Sequence, residues 1–367
     1  MPQGAGGGLP IWSRLCTYLR LFVMPMKLRM WILWTVYSLT VSVGAVPGDT
    51  LQLVHAGRQV AFPHQVPAGN YSGICHWRGI DYFVVSDKSE TDGFFVFSIE
   101  IDSLSGEILS VENRGFRSAG RPNRDGEGIA WVPAWETVLM SGEADGRICE
   151  YGVDGQPTMR EVSVPEVFGR SHANLGLEAM PYSPVTRLLW TCNEATLPTD
   201  GEQATATNGI RNRVRLQSFG EDLLPCRQYA YEMDAPISSR PASVYAMGVP
   251  GMVALDNGSL LVLEREFHVP STKLGAFVNC KLYQVWPGDE TANPNEALSE
   301  ETVCLPKHLV CEWKTSLTLF RRQLANYEGA CLGPRLADGS QVLVLVADSQ
   351  DQYGGVLKDW FKTIVVH

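Results

Sequence analysis

Residues 326–350, NYEGACLGPRLADGSQVLVLVADSQ, pair a glutamate with a glycine at one end and close on an aspartate at the other. Glu328 and Gly329 precede a short apolar run, the polar turn PRLADGS follows, and the strand-forming run QVLVLVA ends at Asp348. A glycine-containing turn between two such runs is typical of paired β-strands. The stretch therefore predicts two strands joined by a turn, with a carboxylate at each end.

The same arrangement occurs twice more with a constant spacing. Glu127 and Gly128 open a segment that ends at Glu143, and Glu178 opens another that ends at Glu194. Both acid pairs are sixteen residues apart, and each encloses two strand-like runs around a proline-containing turn. The recurrence indicates an internal structural repeat.

Two further copies are more degenerate. One begins at Ser72 and ends at Asp87, and the other begins at Gly251 and ends at Glu264. The second contains Asp-Asn-Gly at 256–258, which is a strong signal for a tight β-hairpin. Five repeats therefore begin near positions 72, 127, 178, 251 and 328.

Spacing and composition together predict the fold class. The chain has 35 glycines and 22 prolines, spread throughout, and it has no long amphipathic helical run outside the N-terminal region. Repeat spacings of about fifty residues suit the four-stranded blade of an all-β propeller. The two longer gaps hold either extended loops or an unmarked blade. We therefore predict a β-propeller and favour six blades, with five or seven left open.

The two ends of this domain are expected to meet. The segments TLQLVHAG, from residue 50, and TIVVH, from residue 363, both have the character of strands. If both contribute to one blade, the circle closes without an exposed sheet edge. Because the first strand of every blade lines the central channel, equivalent acids from successive blades would then form a ring.

A ring of carboxylates repels itself unless a cation or protons neutralise it. The acids at strand starts are Glu127, Glu178 and Glu328, and those at the ends of the following strands are Asp87, Glu143, Glu194, Glu264 and Asp348. Hard oxygen donors without a Cys or His cluster favour Ca²⁺ over Zn²⁺. In the alternative interpretation these acids cap strands or pair with arginines such as Arg124 and Arg265.

The N-terminal region, residues 1–45, reads as a leader. The segment from Met26 to Ala45 has a basic start, an apolar stretch and small residues at its end, as secretory signal peptides do. Met26 is a second candidate for the initiator. An uncleaved anchor with a cytoplasmic extension is the alternative, and it would be the chain's one membrane contact. Residues 46–367 are expected to form a single exported domain, periplasmic or secreted.

Export gives the cysteines two interpretations. Cys16 falls in the leader, and the eight others could form disulfides, with Cys304 and Cys311 as the favoured pair. Several of the eight lie inside apolar strand patterns, where a small buried thiol explains them equally well.

Four motifs carry a family resemblance. They are DGEGIAW at 125–131, NLGLEAM at 174–180, LLVLEREF at 260–267 and the stretch at 326–350. Together they resemble the phytase-like domain family, described as having esterase-like activity of phytase, from about residue 55 to the end. The resemblance implies a β-propeller, export from a bacterial cell, and hydrolysis of phosphate or carboxylic esters with calcium. It marks as motif positions Glu127, Glu178, Glu264, Arg265, Glu328 and Asp348.

The expected activity is calcium-dependent ester hydrolysis in the propeller channel, with phosphate esters of a small molecule as the first choice. Calcium would be held by Glu127, Glu178, Glu264, Glu328 and Asp348. It would activate a water molecule, while Arg124 and Arg265 bind the substrate's charge and Glu127 or Glu328 acts as general base.

The motifs and the net charge of the sequence bear on several other functions. No G-x-S-x-G or H-E-x-x-H motif occurs. A net charge of −10 argues against nucleic-acid binding, and against a polyanionic substrate unless metal ions screen the channel. A carboxylic ester or lactone hydrolase therefore stays open, as does a non-catalytic propeller that binds a glycan or protein.

We expect a monomer. The polar segments 194–215 and 287–301 are either lids or peripheral decoration.

Overall fold

The computed structural model describes residues 50–170, 176–320, 322–350 and 356–367. The predicted leader, residues 1–45 with the start at Met26, lies outside these ranges. Within them, no helix has the length and apolar character needed to cross a membrane.

The described residues form five four-stranded antiparallel sheets; four are meanders of consecutive strands, and the fifth takes one strand from the N-terminal side of the domain. Blade 1 has β2 (Tyr71–Arg78), β3 (Asp81–Ser86), β4 (Thr91–Ile101) and β5 (Ile108–Pro122). Blade 2 has β6 (Gly126–Val132), β7 (Thr137–Gly142), β8 (Arg147–Gly152) and β9 (Pro157–Glu161). Blade 3 has β10 (Tyr182–Ser183), β11 (Leu188–Cys192), β12 (Arg213–Phe219) and β13 (Pro225–Glu232), preceded by a 3₁₀ helix (Glu166–Arg170). Blade 4 has β14 (Val244–Ala254), β15 (Leu260–Val269), β16 (Phe277–Val285) and β17 (Lys307–Ser316). Blade 5 has β18 (Asn326–Arg335), β19 (Gln341–Asp348), β20 (Phe361–Val366) and β1 (Leu53–Ala56).

The all-β propeller class is confirmed, with five blades, one of the counts left open, and not the favoured six. Each of the five repeats starts one blade. The longer gaps hold insertions, at 193–212 between β11 and β12 and at 286–306 between β16 and β17. Neither insertion contains a four-stranded sheet of its own.

The two insertions pack against each other beside blade 3. Arg215, which is fully buried, donates to Asp200 through Nε (2.7 Å) and to the Glu296 carbonyl through Nη2 (2.6 Å). The Leu298 amide donates to Asp200 Oδ1 (3.0 Å), and the Ala292 amide donates to the carbonyl of Gln228 on β13 (2.8 Å). These contacts anchor the 286–306 insertion to the outer strand of blade 3, which favours peripheral decoration over a lid.

The predicted closure of the circle is confirmed. Strand β1 pairs antiparallel with β20, with Leu53 opposite Val366 and Ala56 opposite Ile364. An N-terminal segment thus supplies the outer strand of the blade whose other three strands come from the C-terminal end.

The close approach of neighbouring inner strands explains the glycines at the strand starts. A Cβ on Gly128 would lie closer than 3.0 Å to the carbonyl oxygen of Glu178 in the next blade, and one on Gly73 equally close to that of Glu127. A Cβ on Gly329 would lie 2.9 Å from the Ser72 carbonyl oxygen. The missing side chains therefore let neighbouring inner strands approach closely and bring the acids together around the axis.

The predicted Cys304–Cys311 disulfide is wrong. All eight cysteines in the described part of the chain are free thiols. Cys304 lies in the 286–306 insertion beside Ala230 of β13, whereas Cys311 is buried in β17 opposite Leu282. Burial raises the pKa of the Cys311 thiol to about 12, so this residue acts as a small apolar core residue.

Candidate functional site

Three of the predicted acids meet at one end of a central cavity. Glu127, Glu178 and Glu328, from blades 2, 3 and 5, line the same cavity of about 340 Å³. Glu127 and Glu178 are 8% and 7% exposed. At the equivalent position, directly before Gly73 and Gly251, blade 1 has Ser72 and blade 4 has Pro250. We call Glu127, Glu178 and Glu328 the carboxyl floor.

A second ring lies at the closing position of each repeat. There the chain meets the start of the inner strand: the Glu143 amide bonds the Asp125 carbonyl (2.8 Å), and the Glu194 amide bonds that of Gly176 (3.2 Å). The five residues in this register are Asp87, Glu143, Glu194, Arg265 and Asp348. Blade 4 therefore supplies an arginine where the other four blades supply an acid.

Arg265 is the central cation of the site. Its Nη1 donates to Glu328 Oε1 (2.6 Å) and to Asn326 Oδ1 (2.7 Å), and its Nη2 donates to Glu194 Oε1. The residue is 4% exposed. Burial alone would lower the pKa of Arg265, but Glu194 and Glu328 raise it above its ordinary value. The guanidinium therefore stays charged and links the second ring to the carboxyl floor.

Asn326 connects the two acids of blade 5. Its Nδ2 donates to Glu328 Oε1 (2.8 Å) and to Asp348 Oδ2 (3.3 Å). Burial raises the pKa of Asp348 to about 6, although the Gln350 amide donates to this carboxyl. Sequence reasoning missed Asn326. The signal was present, because NYSG at 70–73 and NYEG at 326–329 repeat the same asparagine.

The floor holds more carboxyl groups than nearby cations. Burial raises the pKa of Glu127, and Glu328 and Asp87 raise it further. For Glu178, burial and then Glu127 and Glu194 raise the pKa. Burial also raises the pKa of Glu328. The nearby Asp348 raises it further, whereas Arg265 lowers it. All three shifts favour the protonated form of the floor carboxyls.

Glu178→Gln is expected to stabilise the protein at pH 8 and to leave it nearly unchanged at pH 4.5. The folded state keeps a proton that the unfolded chain loses above the ordinary pKa of 4.5, so the free energy of unfolding falls as pH rises. Thermal melts across this range measure the effect, with exposed Glu301→Gln as the control. A lower melting temperature for Glu178→Gln than for the wild type at pH 8 would contradict a raised pKa of Glu178 in the folded state.

Two predicted site residues lie elsewhere. Glu264 accepts hydrogen bonds from the Tyr231 hydroxyl (2.6 Å) and from Lys307 Nζ (2.7 Å) between blades 3 and 4. Arg124 donates through Nε to Asp145 (2.8 Å) and through Nη1 to the Tyr151 hydroxyl (3.0 Å) in blade 2. The structure thus brings Glu127, Glu178, Glu328, Arg265 and Asp348 together, but not Glu264 or Arg124.

Beyond the floor, the cavity has apolar walls and runs toward the turns between the first and second strands of the blades. Trp77 and Trp131 are half-buried there, with ring centroids 6.4 Å apart. The other wall residues include Ile74, Ile129, Met180, Met252 and Leu332. Among the described residues that line the cavity, none is a lysine or an arginine.

The model of the phytase-like family, described as "Esterase-like activity of phytase", matches residues 66–350. The chain belongs to this family. The match includes the strands that carry the carboxyl floor, Arg265 and Asp348. No protein of the curated set matches the phytase-like chain.

Solved structures similar to this phytase-like chain share little sequence with it. A DUF4221-family protein from Bacteroides vulgatus is 10% identical, with a TM-score of 0.39 over 86% of this chain and 98% of its own. Streptogramin B lyase is 11% identical, with a TM-score of 0.35 over 84% and 98%. A luciferin-regenerating enzyme is 11% identical, with a TM-score of 0.34 over 87% and 95%. Likenesses at these scores support no statement about function.

The calcium that the phytase-like resemblance implies needs several oxygen ligands around one point. The floor and second ring offer the right donor chemistry. However, within the described ranges no group of three or more His, Cys, Asp or Glu side chains is arranged to hold a metal ion. The Arg265 guanidinium contacts Glu194 and Glu328 instead. The described residues, as arranged, therefore do not fit a calcium cage, and calcium stays a prediction.

Proposed function

We propose that this phytase-like protein hydrolyses ester bonds at the carboxyl floor of its central channel. The observation that carries the proposal is the set of three carboxyls, buried Glu127 and Glu178 and half-buried Glu328, at the end of a central cavity beside Arg265. Titratable groups with shifted pKa values in a cavity are common at active sites. The family description, esterase-like activity of phytase, supports the same reaction class.

The floor has groups suited to both halves of acid–base catalysis. Glu328 is oriented by Arg265 and Asn326, and its raised pKa makes it a stronger base than an ordinary carboxylate. Glu127 makes no ion pair among the described residues, and burial raises its pKa, which favours the protonated form. Glu328 would take the proton of the attacking water, and Glu127 would protonate the alkoxide that leaves the ester.

The cavity favours an uncharged carboxylic ester or lactone over a phosphate ester. The guanidinium groups of Arg265 and Arg124 are occupied by protein carboxylates. An anionic phosphate group at the carboxyl floor would meet like charge in a low-dielectric site. Phosphate ester hydrolysis, the first expectation from sequence, would therefore require a bound cation such as Ca²⁺. Export to the periplasm or the medium likewise stays a prediction.

Glu127→Gln and Glu328→Gln are each expected to lower kcat/KM by about 10²-fold or more, the usual range for losing a general acid or base. We would assay the wild type and both variants on p-nitrophenyl acetate, a γ-lactone and p-nitrophenyl phosphate, with calcium and with a chelator. Exposed Glu301→Gln is the control, and circular dichroism checks folding.

The outcomes separate the alternatives. Turnover of the neutral ester that survives the chelator supports the proposal, and phosphate turnover that appears only with calcium supports the metal-dependent version. A folded wild type that turns over none of the three substrates would favour the non-catalytic propeller. Unchanged activity in both glutamine variants would remove the carboxyl floor from the mechanism.

A further inference from the structure

We infer that the central cavity binds the linear apolar group of a neutral ester, which enters from the face where the turns between first and second strands lie. This inference rests on the proposed function and names its substrate class. The reacting carbonyl would lie at the carboxyl floor, and the hydrocarbon part would lie between the inner strands.

The walls offer such a group a rigid apolar surface. Trp77 stacks on Phe83 with ring centroids 4.7 Å apart and contacts Trp131 edge-on. Met180 is buried, and Leu332 lies half-buried on the opposite side of the ring, on β18. Enclosed apolar walls with a few polar groups at one end are typical of small-molecule sites.

The floor selects the charge of the ligand. A carboxylate bound there would be buried against Glu127, Glu178 and Glu328, with no lysine or arginine among the described lining residues. Placing an uncompensated anion in such a site is costly. A neutral carbonyl group, by contrast, brings no charge to the floor. The site therefore takes the ester and repels the acid that hydrolysis releases, which promotes product release.

The size and shape of the cavity limit the ligand. A volume of about 340 Å³ is roughly that of eleven water molecules in the liquid, so a ligand of about ten non-hydrogen atoms fits. The inner strands approach each other closely at Gly73, Gly128 and Gly329. A slender chain therefore suits the narrow end of the channel better than a branched or fused-ring group.

Calorimetry at pH 8 with three non-hydrolysable or unreactive probes tests the inference. The probes are 2-nonanone, a neutral linear ketone; nonanoate, its anionic counterpart; and camphor, a neutral bulky ketone. We expect saturable binding of 2-nonanone, at least tenfold tighter than binding of either other probe. Leu332→Trp narrows the mouth and should weaken 2-nonanone binding at least tenfold. Leu309→Trp, on the outer strand of blade 4 where Leu309 is 43% exposed, should not.

Several results would overturn the inference. They are nonanoate binding as tight as that of 2-nonanone, the absence of saturable 2-nonanone binding, and equal affinity in a folded Leu332→Trp variant. If Leu332→Trp does not fold, the ratio between the three probes on the wild type still decides. Binding of 2-nonanone without turnover of any ester keeps this site and removes the hydrolase. Turnover of p-nitrophenyl acetate without 2-nonanone binding keeps the hydrolase and removes this binding site.

Discussion

Arg265→Met is expected to lower the free energy of unfolding by about 3–5 kcal/mol at pH 7.5, the usual cost of removing one partner from a buried ion pair. The substitution keeps an unbranched side chain but leaves Glu194 and Glu328 without the guanidinium that joins them. Because these carboxyls can take up protons instead, the loss should shrink as the pH falls toward 5. Urea denaturation at both pH values measures the change.

The matched control is Arg58→Met, because the Arg58 side chain is 81% exposed. Surface ion pairs of this kind contribute little to stability, so its unfolding curve should overlay that of the wild type. If Arg265→Met were as stable as the wild type at pH 7.5, the central role of this arginine in the ring would be wrong.

Gly128→Ala should be the second most damaging single change, with a loss of about 3 kcal/mol, at the upper end of ordinary overpacking costs. Its Cβ would overlap the carbonyl oxygen of Glu178, and a backbone oxygen of the adjoining blade has little room to move. Either β6 or the start of blade 3 must shift, which also displaces two of the three floor carboxyls.

Gly126→Ala, two residues earlier on the same strand, is the internal comparison. A Cβ there meets nothing closer than Val85 Cβ at 3.7 Å. Thermal denaturation of the two alanine variants should therefore give a large shift for position 128 and a small one for position 126. Equal shifts would show that strand propensity, and not the close approach of blades, governs these glycines.

Glycine at positions 73, 128, 251 and 329 predicted the inner strands of blades 1, 2, 4 and 5 well, because strands that approach closely at an axis favour glycine. Blade 3 has Ala179 at this position, and its inner strand begins only at Tyr182. Blade number was harder to predict. The gaps after positions 178 and 251 are long enough for another blade, and only the pairing of the insertions with β13 and with Arg215 shows that they are peripheral.

Register explains the misplacement of Glu264 at the ring. Successive side chains of a strand point to opposite faces, so an error of one residue exchanges the two faces. Arg265, not Glu264, pairs with Gly248 of β14, next to a register shift between Gly248 and Gly251. The sequence pattern therefore indicated Glu264, one residue before the side chain that lies in the ring. Arg124 fails differently, since its partner Asp145 lies in a turn that no repeat spacing indicates.

The pairing of β1 with β20 has a kinetic consequence. Leu53 and Val366 are neighbours in the sheet but stand near opposite ends of the domain, whereas most other strands pair with a sequence neighbour. Blades 1 to 4 can therefore form while the nascent chain is still being made, and the circle is sealed only at the end. Such a high-contact-order step is slow. Until it occurs, the apolar segment Phe361–Val366 has an open edge, so incompletely sealed molecules are the species most prone to aggregate.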